Sequence, residues 1–342
     1  MKRTASQRPS LADVARLAGV STATVSRVLN DPALVRRETR EAVERAVDEL
    51  GYTPHFGGRA LASNRTDTVG AIIPTMENAI FARGLQALQE ELTAAGVTLL
   101  VSTSNYNAEQ EARQINTLLS RNVDGFILIG EARDPEVYAR LERRSVPFIL
   151  VWSWRADCPW TCVGFDNHAA ARDVAERVFE FGHRRIGMIA GVCEGNDRAL
   201  ARLNGVRDGL AACGAPLDPR LVVEAPYAIE AGAEAAGRLL SARPRPTAII
   251  CGNDVLAAGA MLRCREAGLR VPEDVSIIGF DDIDVATLLD PQLATVHVPH
   301  RRMGRSAGRL LLDLLERKSA AESVRIDTEF LARGSLGPAP AR

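Results

Sequence analysis

Residues 11–30 read LADVARLAGVSTATVSRVLN, which is two short helical patterns joined by a Gly-Val-Ser turn. Ser10 and Asp13, three positions apart, form the pattern of a capping box, which predicts the start of a first amphipathic helix. Gly19 can adopt the left-handed conformation that ends a helix, and Ser21 can cap a second helix directly after it. The stretch therefore predicts a helix-turn-helix.

The second of these helices has two unlike faces. Val25, Val28 and Leu29 recur at helical spacing and predict a buried face, whereas polar and small residues share the opposite face. Such a face suits the major groove of DNA, because arginine can pair with guanine and small side chains can touch a thymine methyl group. The predicted contacts are Arg27 to guanine, Thr22 and Ala23 to thymine, and Ser26 and Asn30 to phosphates. An ordinary helical hairpin with a solvated polar face is the alternative.

Charge is distributed unevenly along the chain. Among 342 residues, 42 Lys and Arg nearly balance 43 Asp and Glu, but residues 1–65 hold 11 basic against 7 acidic side chains. The basic excess therefore lies where DNA is predicted to bind. The polar start MKRTASQRPS and the lack of an apolar run of roughly 20 residues argue against a membrane span or leader. We expect a cytoplasmic protein, located at the nucleoid if it is a regulator.

From residue 69 onward, apolar strand patterns alternate with helical patterns. The strand patterns are VGAII, VTLLVS, GFILI, PFILV, RIGMIAG, TAIICG and VSIIGF. Continuous apolar strands between helices predict parallel sheets that are covered on both faces. There are too many strands for one compact sheet, and a change near Thr161 indicates two lobes. Ligands in such sheets bind beyond the carboxyl ends of the strands, which here face the cleft between the lobes.

Four separate motifs carry a family resemblance that runs from about Ser10 to Gly334. DVARLAGVSTATVSRVLN, ELGYTP, RALAS and GLRVPEDVSIIGFDD occur in this order and resemble the LacI/GalR family of bacterial transcription regulators. Within the family, SNRTDTVGAIIPTMENAIFA and VGFDN are most similar to the gluconate-repressor-like branch. The resemblance implies a small all-α helix-turn-helix headpiece and an α/β core of two doubly wound parallel-sheet lobes, of the periplasmic-binding-protein-like type I.

The resemblance also implies the domain organisation. The predicted segments are a headpiece over residues 1–53, a hinge helix or linker over 54–66, and an effector-binding and dimerisation core over 67–342. Within the core, the first lobe is expected over about 67–161 and 293–322, and the second over about 162–292 and 323–336. The chain is therefore expected to cross between the lobes near 161, 292 and 323.

The headpiece and the hinge depart from the family in three places. Arg36 precedes the third predicted helix, ETREAVERAVDEL, where the family usually has serine, so a cap is lost and a positive charge is gained. His55 and Gly58 replace the usual Asn and Ala in the hinge. Because an interior glycine costs a helix about 1 kcal/mol against alanine, we expect a hinge that is less ordered off DNA than in other members.

Leu61 occupies the position from which, in the family, a hinge leucine enters the minor groove between central base pairs. An inserted apolar side chain bends DNA toward the major groove. An ordinary core leucine is the alternative. The complete predicted DNA-contacting set is Ser10, Leu11, Ser21, Thr22, Ala23, Ser26, Arg27, Asn30, Thr39 and Leu61.

Polar residues directly after predicted strands are the expected ligand contacts. Asn253 follows TAIICG, Asp281 follows VSIIGF, and Asp166 lies in VGFDN. The resemblance implies that Asn253, Asp281 and Arg202 bind the effector and that Tyr227 stacks on it. An amide, a carboxylate and a guanidinium can satisfy sugar hydroxyls, or Arg202 can hold a carboxylate or phosphate. The complete predicted effector-binding set is Asn78, Phe81, Trp152, Asp166, Arg202, Tyr227, Asn253 and Asp281.

Each of these polar residues also has a local explanation. Asn253 or Asp281 could cap the helix that follows it, since Asp and Asn are common caps at strand ends. Arg202 could pair with Glu194 or Asp208 at the surface. The sequence alone leaves these alternatives open.

Trp152 stands where several relatives have a ligand-binding aspartate. Packing between the lobes is the alternative to a ligand contact at this position. The substitution weakens any direct transfer of ligand identity from better-known branches of the family.

An enzyme built on the same kind of sheet is the main rival class. No GxGxxG follows the first strand, and the P-loop and HExxH signatures are absent. The five histidines are scattered, and the six cysteines form no CxxC pair, so reduced core thiols are expected. No catalytic residue, cofactor or metal is predicted. A transport binding protein would have no use for residues 10–50.

We therefore expect a homodimeric repressor whose two headpieces read a palindromic operator. A small effector bound between the lobes would change its operator affinity. A sugar or sugar acid is the expected effector, and induction is the expected sign. The alternatives are a nucleoside- or purine-type corepressor and a cytosolic sugar-processing enzyme on the same fold.

Overall fold

The chain forms two compact units in the computed structural model, Met1–Thr66 and Asp67–Arg342. The structure describes residues 9–53, 65–316 and 322–341. In these ranges, no helix combines the length and the apolar character needed to cross a membrane.

The first unit is a three-helix headpiece. Its helices are α1 Leu11–Ala18, α2 Thr22–Asn30 and α3 Arg37–Leu50, with a 3-10 turn at Pro32–Leu34. Each helix contributes a fully buried valine, namely Val14, Val25 and Val43, and Tyr52 packs into the same small core. A core of this size stabilises a domain only modestly, so even a helix cap worth about 1 kcal/mol contributes to it.

Twelve strands lie in the described part of the second unit. They are β1 Thr68–Ile73, β2 Thr98–Thr103, β3 Gly125–Ile129, β4 Phe148–Val151, β5 Cys162–Gly164, β6 Ile186–Gly191, β7 Val222–Ala225, β8 Ala248–Cys251, β9 Ser276–Ile278, β10 Thr295–His297, β11 Val324–Arg325 and β12 Glu329–Leu331. A parallel sheet of order β11-β5-β4-β3-β1-β2 forms the first lobe, and one of order β7-β6-β8-β9 forms the second. The seven predicted strand patterns all form strands.

Helices connect the strands and cover the sheets. They are α4 Ala79–Ala94, α5 Ala108–Ser120, α6 Pro135–Arg143, α7 Asn167–Glu180, α8 Asp197–Ala212, α9 Ile229–Ser241, α10 Asp254–Glu266, α11 Val285–Leu288 and α12 His300–Leu315, with a 3-10 turn at Pro219–Leu221. The predicted fold class, a helical headpiece with two parallel-sheet lobes, is confirmed. All six cysteines are free thiols, and Cys162, Cys251 and Cys264 are buried.

The chain passes between the lobes a few residues later than 161, 292 and 323. Strands β5 and β11, which were assigned to the second lobe, lie in the first sheet, where β11 pairs with β5 and β5 pairs with β4. Strand β10, assigned to the first lobe, pairs with β12, and a bridge from Ile278 to Ala294 joins this segment to the second sheet. These strands have only two or three residues, which is too short for an apolar pattern to show which sheet each strand joins.

Helices α4 and α12 pack closely in the first lobe. A Cβ atom added at Gly304 would lie 2.0 Å from the Gly84 carbonyl oxygen, so α12 needs glycine at this position to approach α4, whereas a Cβ atom at Gly84 would lie 2.4 Å from the Trp152 ring. This contact fixes the start of α12, and therefore His300, at the edge of the cleft between the lobes.

Candidate functional site

Local capping forms the helix-turn-helix of the headpiece. The Ser10 side chain accepts the Asp13 N–H while the Asp13 carboxylate accepts the Ser10 N–H at 2.9 Å, which completes the predicted capping box. Gly19 ends α1 with a φ of 67°, in the left-handed region. Ser21 then caps α2 by accepting the Thr24 N–H at 3.1 Å. The turn between the two helices is therefore determined by residues within it.

The exposed face of α2 carries most of the predicted base contacts. Thr22, Ala23 and Arg27 are exposed and Ser26 is half-buried, whereas Val25 and Val28 of the same helix are buried. Exposed side chains on a helix whose other face is held in a core can enter a groove without rearrangement. The side chain of Asn30 lies outside the described part of the chain.

The remaining predicted DNA contacts have structural roles as well. Ser10 and Ser21 serve as caps, Leu11 packs against the small core, and Thr39 is half-buried in the first turn of α3. Arg36 makes no side-chain cap to α3, as its replacement of a serine predicted. The hinge residues His55, Gly58 and Leu61 lie outside the described residues.

A cavity of about 300 Å³ lies between the two lobes of the second unit. It is bounded by the carboxyl ends of strands from both sheets, where ligands of parallel sheets bind. Seven of the eight predicted effector-binding residues line it. The lining residues are Asn78, Ile80, Phe81, Tyr106, Trp152, Asn196, Arg198, Arg202, Tyr227, Asn253 and Asp281.

Arg202 is the most heavily bonded side chain of this cavity. Its Nε donates to Asn167 Oδ1 at 2.8 Å, and its Nη1 donates to the Gly252 carbonyl oxygen at 2.7 Å. Its Nη2 donates to Asp281 Oδ1 at 3.4 Å, and the guanidinium lies 3.8 Å from the centre of the Phe280 ring. The buried pair with Asp281 replaces the surface pairings that were considered for Arg202. Its orientation is therefore set before any ligand binds.

Asp254 links the loop that carries Asp281 to strand β10 through hydrogen bonds. Asp254 Oδ1 accepts the Thr295 hydroxyl at 2.6 Å, and Oδ2 accepts the Ile283 N–H at 2.8 Å. Burial raises the pKa of the Asp254 carboxyl to about 8. Asp281 itself has a φ of 102°, a conformation that non-glycine residues rarely adopt and that occurs often at functional sites.

Trp152 forms one wall of the cavity and also packs within the protein. Its Nε1 donates to His300 Nδ1 at 3.2 Å, and its ring meets Phe81 edge-on at 5.3 Å between centroids. His300 Nε2 lies 3.3 Å from the Asp281 carbonyl oxygen. Burial lowers the pKa of His300 to about 4, so the ring is neutral and donates from Nε2. Because its indole N–H is used internally, Trp152 presents only carbon atoms to the cavity.

Asn78 and Asn253 each cap a helix and also line the cavity. Asn78 Oδ1 accepts the Ile80 N–H at 3.3 Å, and Asn253 Oδ1 accepts the Leu256 N–H at 2.9 Å. Both residues also line the cavity. Capping uses the amide oxygen and orients the side chain, so that the NH₂ group can serve as a donor to a ligand.

Asp166 is the predicted residue that the structure does not bring to the cavity. Its carboxylate accepts the Ala169 N–H at 2.9 Å and caps α7. The next residue, Asn167, is buried instead: it donates to the Trp152 carbonyl oxygen at 2.9 Å and accepts from Arg202. Capping of α7 and contact with Arg202 therefore fall on adjacent residues. Strand β5 ends at Gly164, so the alternation of side chains along a strand no longer predicts which of the two faces the cavity.

Four lining residues were missed by the sequence analysis: Ile80, Tyr106, Asn196 and Arg198. Tyr106 follows β2, so the rule that found Asn253 and Asp281 would have found it. Tyr106 and Tyr227 lie 6.1 Å apart between ring centres, and burial raises the pKa of both hydroxyls. Both are therefore neutral groups that can donate and accept hydrogen bonds.

Two other features bear on the enzyme alternative. GRSAG at 304–308 has the spacing of a nucleophile motif, but Ser306 lies inside α12 rather than at the strand-to-helix turn that such a nucleophile needs. Among the described residues, no cluster of three or more His, Cys, Asp or Glu side chains could hold a metal ion.

Comparison with known proteins covers both units. A family model described as bacterial regulatory proteins, lacI family, matches residues 10–55, and one described as a periplasmic binding protein-like domain matches residues 175–336. The HTH-type transcriptional repressor CytR of Escherichia coli strain K12 is 34% identical over 332 residues, which are 97% of each chain.

Two solved structures extend this similarity to the fold. The lac repressor dimer bound to operator and the anti-inducer ONPF matches with a TM-score of 0.85 and 26% identity, over 97% of this chain and 100% of that chain. A complex of the transcriptional regulator CelR with cellobiose matches with a TM-score of 0.71 and 32% identity, over 96% and 100% of the two chains.

Proposed function

The chain belongs to the LacI family of bacterial regulatory proteins, and we propose that its effector is a sugar or sugar acid bound in the cleft between its two lobes. The prediction of a DNA-binding regulator rather than an enzyme is confirmed by relatives that cover nearly the whole chain. The protein is a transcriptional repressor that acts as a dimer on operator DNA under the control of a small effector. Its place of action, in this proposal, is the cytoplasm at the nucleoid.

The cavity around Arg202 and Asp281 is the observation that carries the choice of effector. A carboxylate, two guanidiniums, three asparagine amides and two tyrosine hydroxyls line this cavity, so a ligand with several hydroxyl groups can find hydrogen-bond partners on all sides. The carbon face of Trp152 and the ring of Phe81 supply apolar walls for the C–H faces of a sugar. A carboxylate on the ligand would pair with Arg202.

A nucleoside- or purine-type corepressor is the second candidate. The observation in its favour is the pair of tilted rings of Tyr106 and Tyr227, 6.1 Å apart, against which a base can stack. The membership in the gluconate-repressor-like branch stays a prediction, and so does induction as the sign of control.

In this proposal the headpiece reads each half of a palindromic operator through Thr22, Ala23 and Arg27. Ser26, Asn30 and the residues at the starts of α1 and α3 hold phosphates, and Leu61 enters the minor groove. The segments 1–53, 54–66 and 67–342 act as headpiece, hinge and effector-binding core. Closure of the lobes on the effector then alters the hinge and the operator affinity.

A thermal-shift screen of sugars, sugar acids and nucleosides tests the effector class. A ligand that binds only the folded state raises the melting temperature, and the shift grows with the logarithm of the ligand concentration divided by its Kd. We expect a sugar or sugar acid to raise it. The substitution Asn253→Ser should remove that shift, because serine can cap α10 but lacks the amide donor.

Asp166→Ser is the matched control, since Asp166 caps a helix in the same way without lining the cavity. This variant should keep the shift. A shift produced only by nucleosides would select the second candidate. A sugar-induced shift that survives Asn253→Ser would place the effector elsewhere.

A further inference from the structure

Five residues at the cleft form a closed ring of hydrogen bonds, and three of them line the effector cavity. The ring joins Arg202, Asn167, Trp152, His300 and Asp281 and returns to Arg202. We propose that His300, which does not line the cavity, is a positioning residue: through it, the arrangement of the lobes sets the position of Asp281 and the response to the effector. This inference rests on the proposed function, because it takes the effector to bind in this cavity.

The hydrogen bonds of the ring run in one direction, from Arg202 to Asp281. Arg202 Nε donates to Asn167 Oδ1 at 2.8 Å, and Asn167 Nδ2 donates to the Trp152 carbonyl oxygen at 2.9 Å. Trp152 Nε1 donates to His300 Nδ1 at 3.2 Å, and His300 Nε2 donates to the Asp281 carbonyl oxygen at 3.3 Å. The bond from Arg202 Nη2 to Asp281 Oδ1, at 3.4 Å, closes the ring. Loss of one intermediate member therefore leaves both of its neighbours without a partner.

The ring passes between the lobes at two places. Trp152 follows β4 of the first sheet, and His300 begins α12, which packs against α4 and β4 in the same lobe. Asn167 begins α7, which packs against α8, the helix of Arg202, and Asp281 follows β9 of the second sheet. The bonds from Asn167 to Trp152 and from His300 to Asp281 therefore link the lobes. A change in the lobe arrangement must lengthen or break them.

Close packing holds the first-lobe half of the ring in place. The Trp152 indole lies directly on the backbone of α4 at Gly84, where there is no room for a Cβ atom. The rings of Trp152 and His300 are stacked, with centroids 6.2 Å apart and an angle of 26° between their planes. Each of these two side chains is only 3% exposed. His300 therefore presents its Nε2 to the second lobe from a fixed position.

Asp281 is the second-lobe residue that His300 supports. Its φ of 102° is costly for a residue with a side chain, and such a conformation persists only where surrounding contacts enforce it. The carbonyl group of Asp281 accepts from His300, and its carboxylate meets Arg202 at the cavity. Contact with the first lobe and contact with the effector therefore act on one and the same residue.

The bridge requires a neutral imidazole in one tautomer. The indole N–H of Trp152 can only donate, so Nδ1 of His300 must accept and Nε2 must carry the proton. Burial, which lowers the pKa of His300 to about 4, keeps this form at neutral pH. Glutamine offers one acceptor and one donor at a similar reach, whereas phenylalanine keeps the ring and offers neither. These two substitutions therefore separate the hydrogen bonds of His300 from its packing.

Anisotropy titration of the full chain on its palindromic operator tests the proposal. The probes are gluconate, glucose and galactose, and the Kd of each is first measured by calorimetry. His300→Phe should weaken binding of the probe about tenfold, since Asp281 loses its support. At saturating probe it should also reduce the change in operator affinity by about threefold or more. His300→Gln should restore both.

His183→Phe is the matched control. His183 is also fully buried, with Nε2 3.0 Å from the Gly337 carbonyl oxygen and Nδ1 2.9 Å from the Thr247 hydroxyl, away from the cavity. This variant loses two hydrogen bonds in the same way, so it should lower the melting temperature and leave the probe Kd and the response unchanged. Should His300→Phe fail to fold, His300→Met takes its place, because its flexible side chain fills the space without a donor.

Trp152→Phe opens the ring one bond earlier and forms a double-mutant cycle with His300→Phe. The single variant loses both a ligand contact and the indole N–H, whereas in the His300→Phe background the N–H has no partner left to lose. We therefore expect the two losses of response to be clearly less than additive. Additive losses would mean that the two side chains act separately.

Amide hydrogen exchange tests the positioning of Asp281 without any ligand. The Asp281 N–H donates to the Val296 carbonyl oxygen at 2.9 Å, and the Ile283 N–H donates to Asp254 Oδ2 at 2.8 Å. Exchange at both amides should be about tenfold faster in His300→Phe. It should match the native rate in His300→Gln and in His183→Phe.

The possible results separate this proposal from the proposed function. If a probe binds and the response at saturation is the same in His300→Phe as in the native chain, the role of His300 is wrong and the effector in the cleft stands. Additive losses in the cycle, or native exchange rates in His300→Phe, also overturn that role. If none of the probes binds, the sugar effector is wrong, and the exchange rates alone decide whether His300 positions Asp281.

Discussion

The reading face of the headpiece and the cleft of the core present their polar side chains in opposite ways. Thr22, Ala23 and Arg27 on α2 are exposed, while Val25 and Val28 of the same helix belong to the small core. Arg202 and Asp281 are buried and bonded to each other and to the surrounding backbone. Side chains of the first kind act on binding alone, whereas those of the second kind also stabilise the fold.

The difference follows from the two partners. DNA is large and charged, and it brings its own surface to the protein, so the reading side chains can remain in solvent until contact. A small ligand offers few groups and must find them already oriented, because ordering them on binding would reduce its affinity. Substitutions that separate binding from stability therefore test the comparison directly.

The largest effect is expected from Arg202→Ala. This change leaves Asp281 buried without its cation and removes the bonds to Asn167 and to the Gly252 carbonyl oxygen. The free energy of unfolding of the core should fall by about 3–5 kcal/mol. Urea denaturation followed by circular dichroism measures it.

Arg207→Ala is the matched control for Arg202→Ala. Arg207 lies on the same helix and is exposed, so its removal should change stability by less than about 0.5 kcal/mol. Equal losses in the two variants would mean that the cleft is no more tightly built than the surface.

His300 predicts how the stability of the core depends on pH. Burial holds its pKa at about 4, whereas the unfolded chain has the ordinary value of 6.5. The folded state resists protonation, so the stability is fully present above pH 6.5 and is lost as the pH falls toward 4. The loss should be on the order of 3 kcal/mol.

His300→Gln isolates this contribution. The buried His183, whose pKa is also lowered by burial, titrates in both proteins, so the difference between their stability curves reports His300. We expect this difference to change between pH 6.5 and 4 and to be constant above pH 7. A constant difference throughout would show that His300 is not held neutral.

Arg27→Ala should affect operator discrimination without affecting stability. Loss of a bidentate contact to guanine costs about 1–3 kcal/mol of discrimination between operator and scrambled DNA. The unfolding midpoint should not move, because the side chain is exposed. Fluorescence anisotropy at one fixed salt concentration gives both affinities.

Arg16→Ala serves as the control for Arg27. Arg16 lies on α1, its side chain is 77% exposed, and it pairs with Asp13. Its removal should leave the ratio of the two affinities unchanged, even if both weaken. If Arg27→Ala also preserves that ratio, α2 does not read sequence through Arg27.

The smallest effect is expected at the cap of α1. Ser10→Ala removes half of the capping box and should cost the headpiece about 1 kcal/mol. Amide hydrogen exchange should become faster in α1 and remain unchanged in the core. Ser120→Ala, at the exposed end of a core helix, is the control variant. If hydrogen exchange in α1 is as slow in Ser10→Ala as in Ser120→Ala, the cap at Ser10 does not stabilise α1.

Features that are local in sequence could be predicted, and this explains the success in the headpiece. The cap at Ser10, the left-handed Gly19 and the cap at Ser21 each depend on residues within four positions. The missing cap at Arg36 follows from the same rule. The alternation of apolar strands and helices likewise gave the two parallel sheets.

Features that depend on distant partners could not be predicted. Strands β5 and β11 are too short to show a pattern, and β11 joins the first sheet by pairing with β5, about 160 positions earlier in the chain. The roles of Asp166 and Asn167 depend on which side chain faces Arg202, and Arg202 lies on another helix. The sequence names the groups at such a site but not the direction in which each one points.

The central claim is that a ligand in the cleft around Arg202 and Asp281 controls the affinity of the headpiece for operator DNA. The most direct test is an anisotropy titration of the full chain on its palindromic operator, with and without the ligand that raises its melting temperature. The account predicts that the ligand changes operator affinity by about 5- to 150-fold in the native chain. It also predicts that Asn253→Ser binds operator normally without responding. An unchanged operator affinity in the ligand-saturated native chain would contradict it.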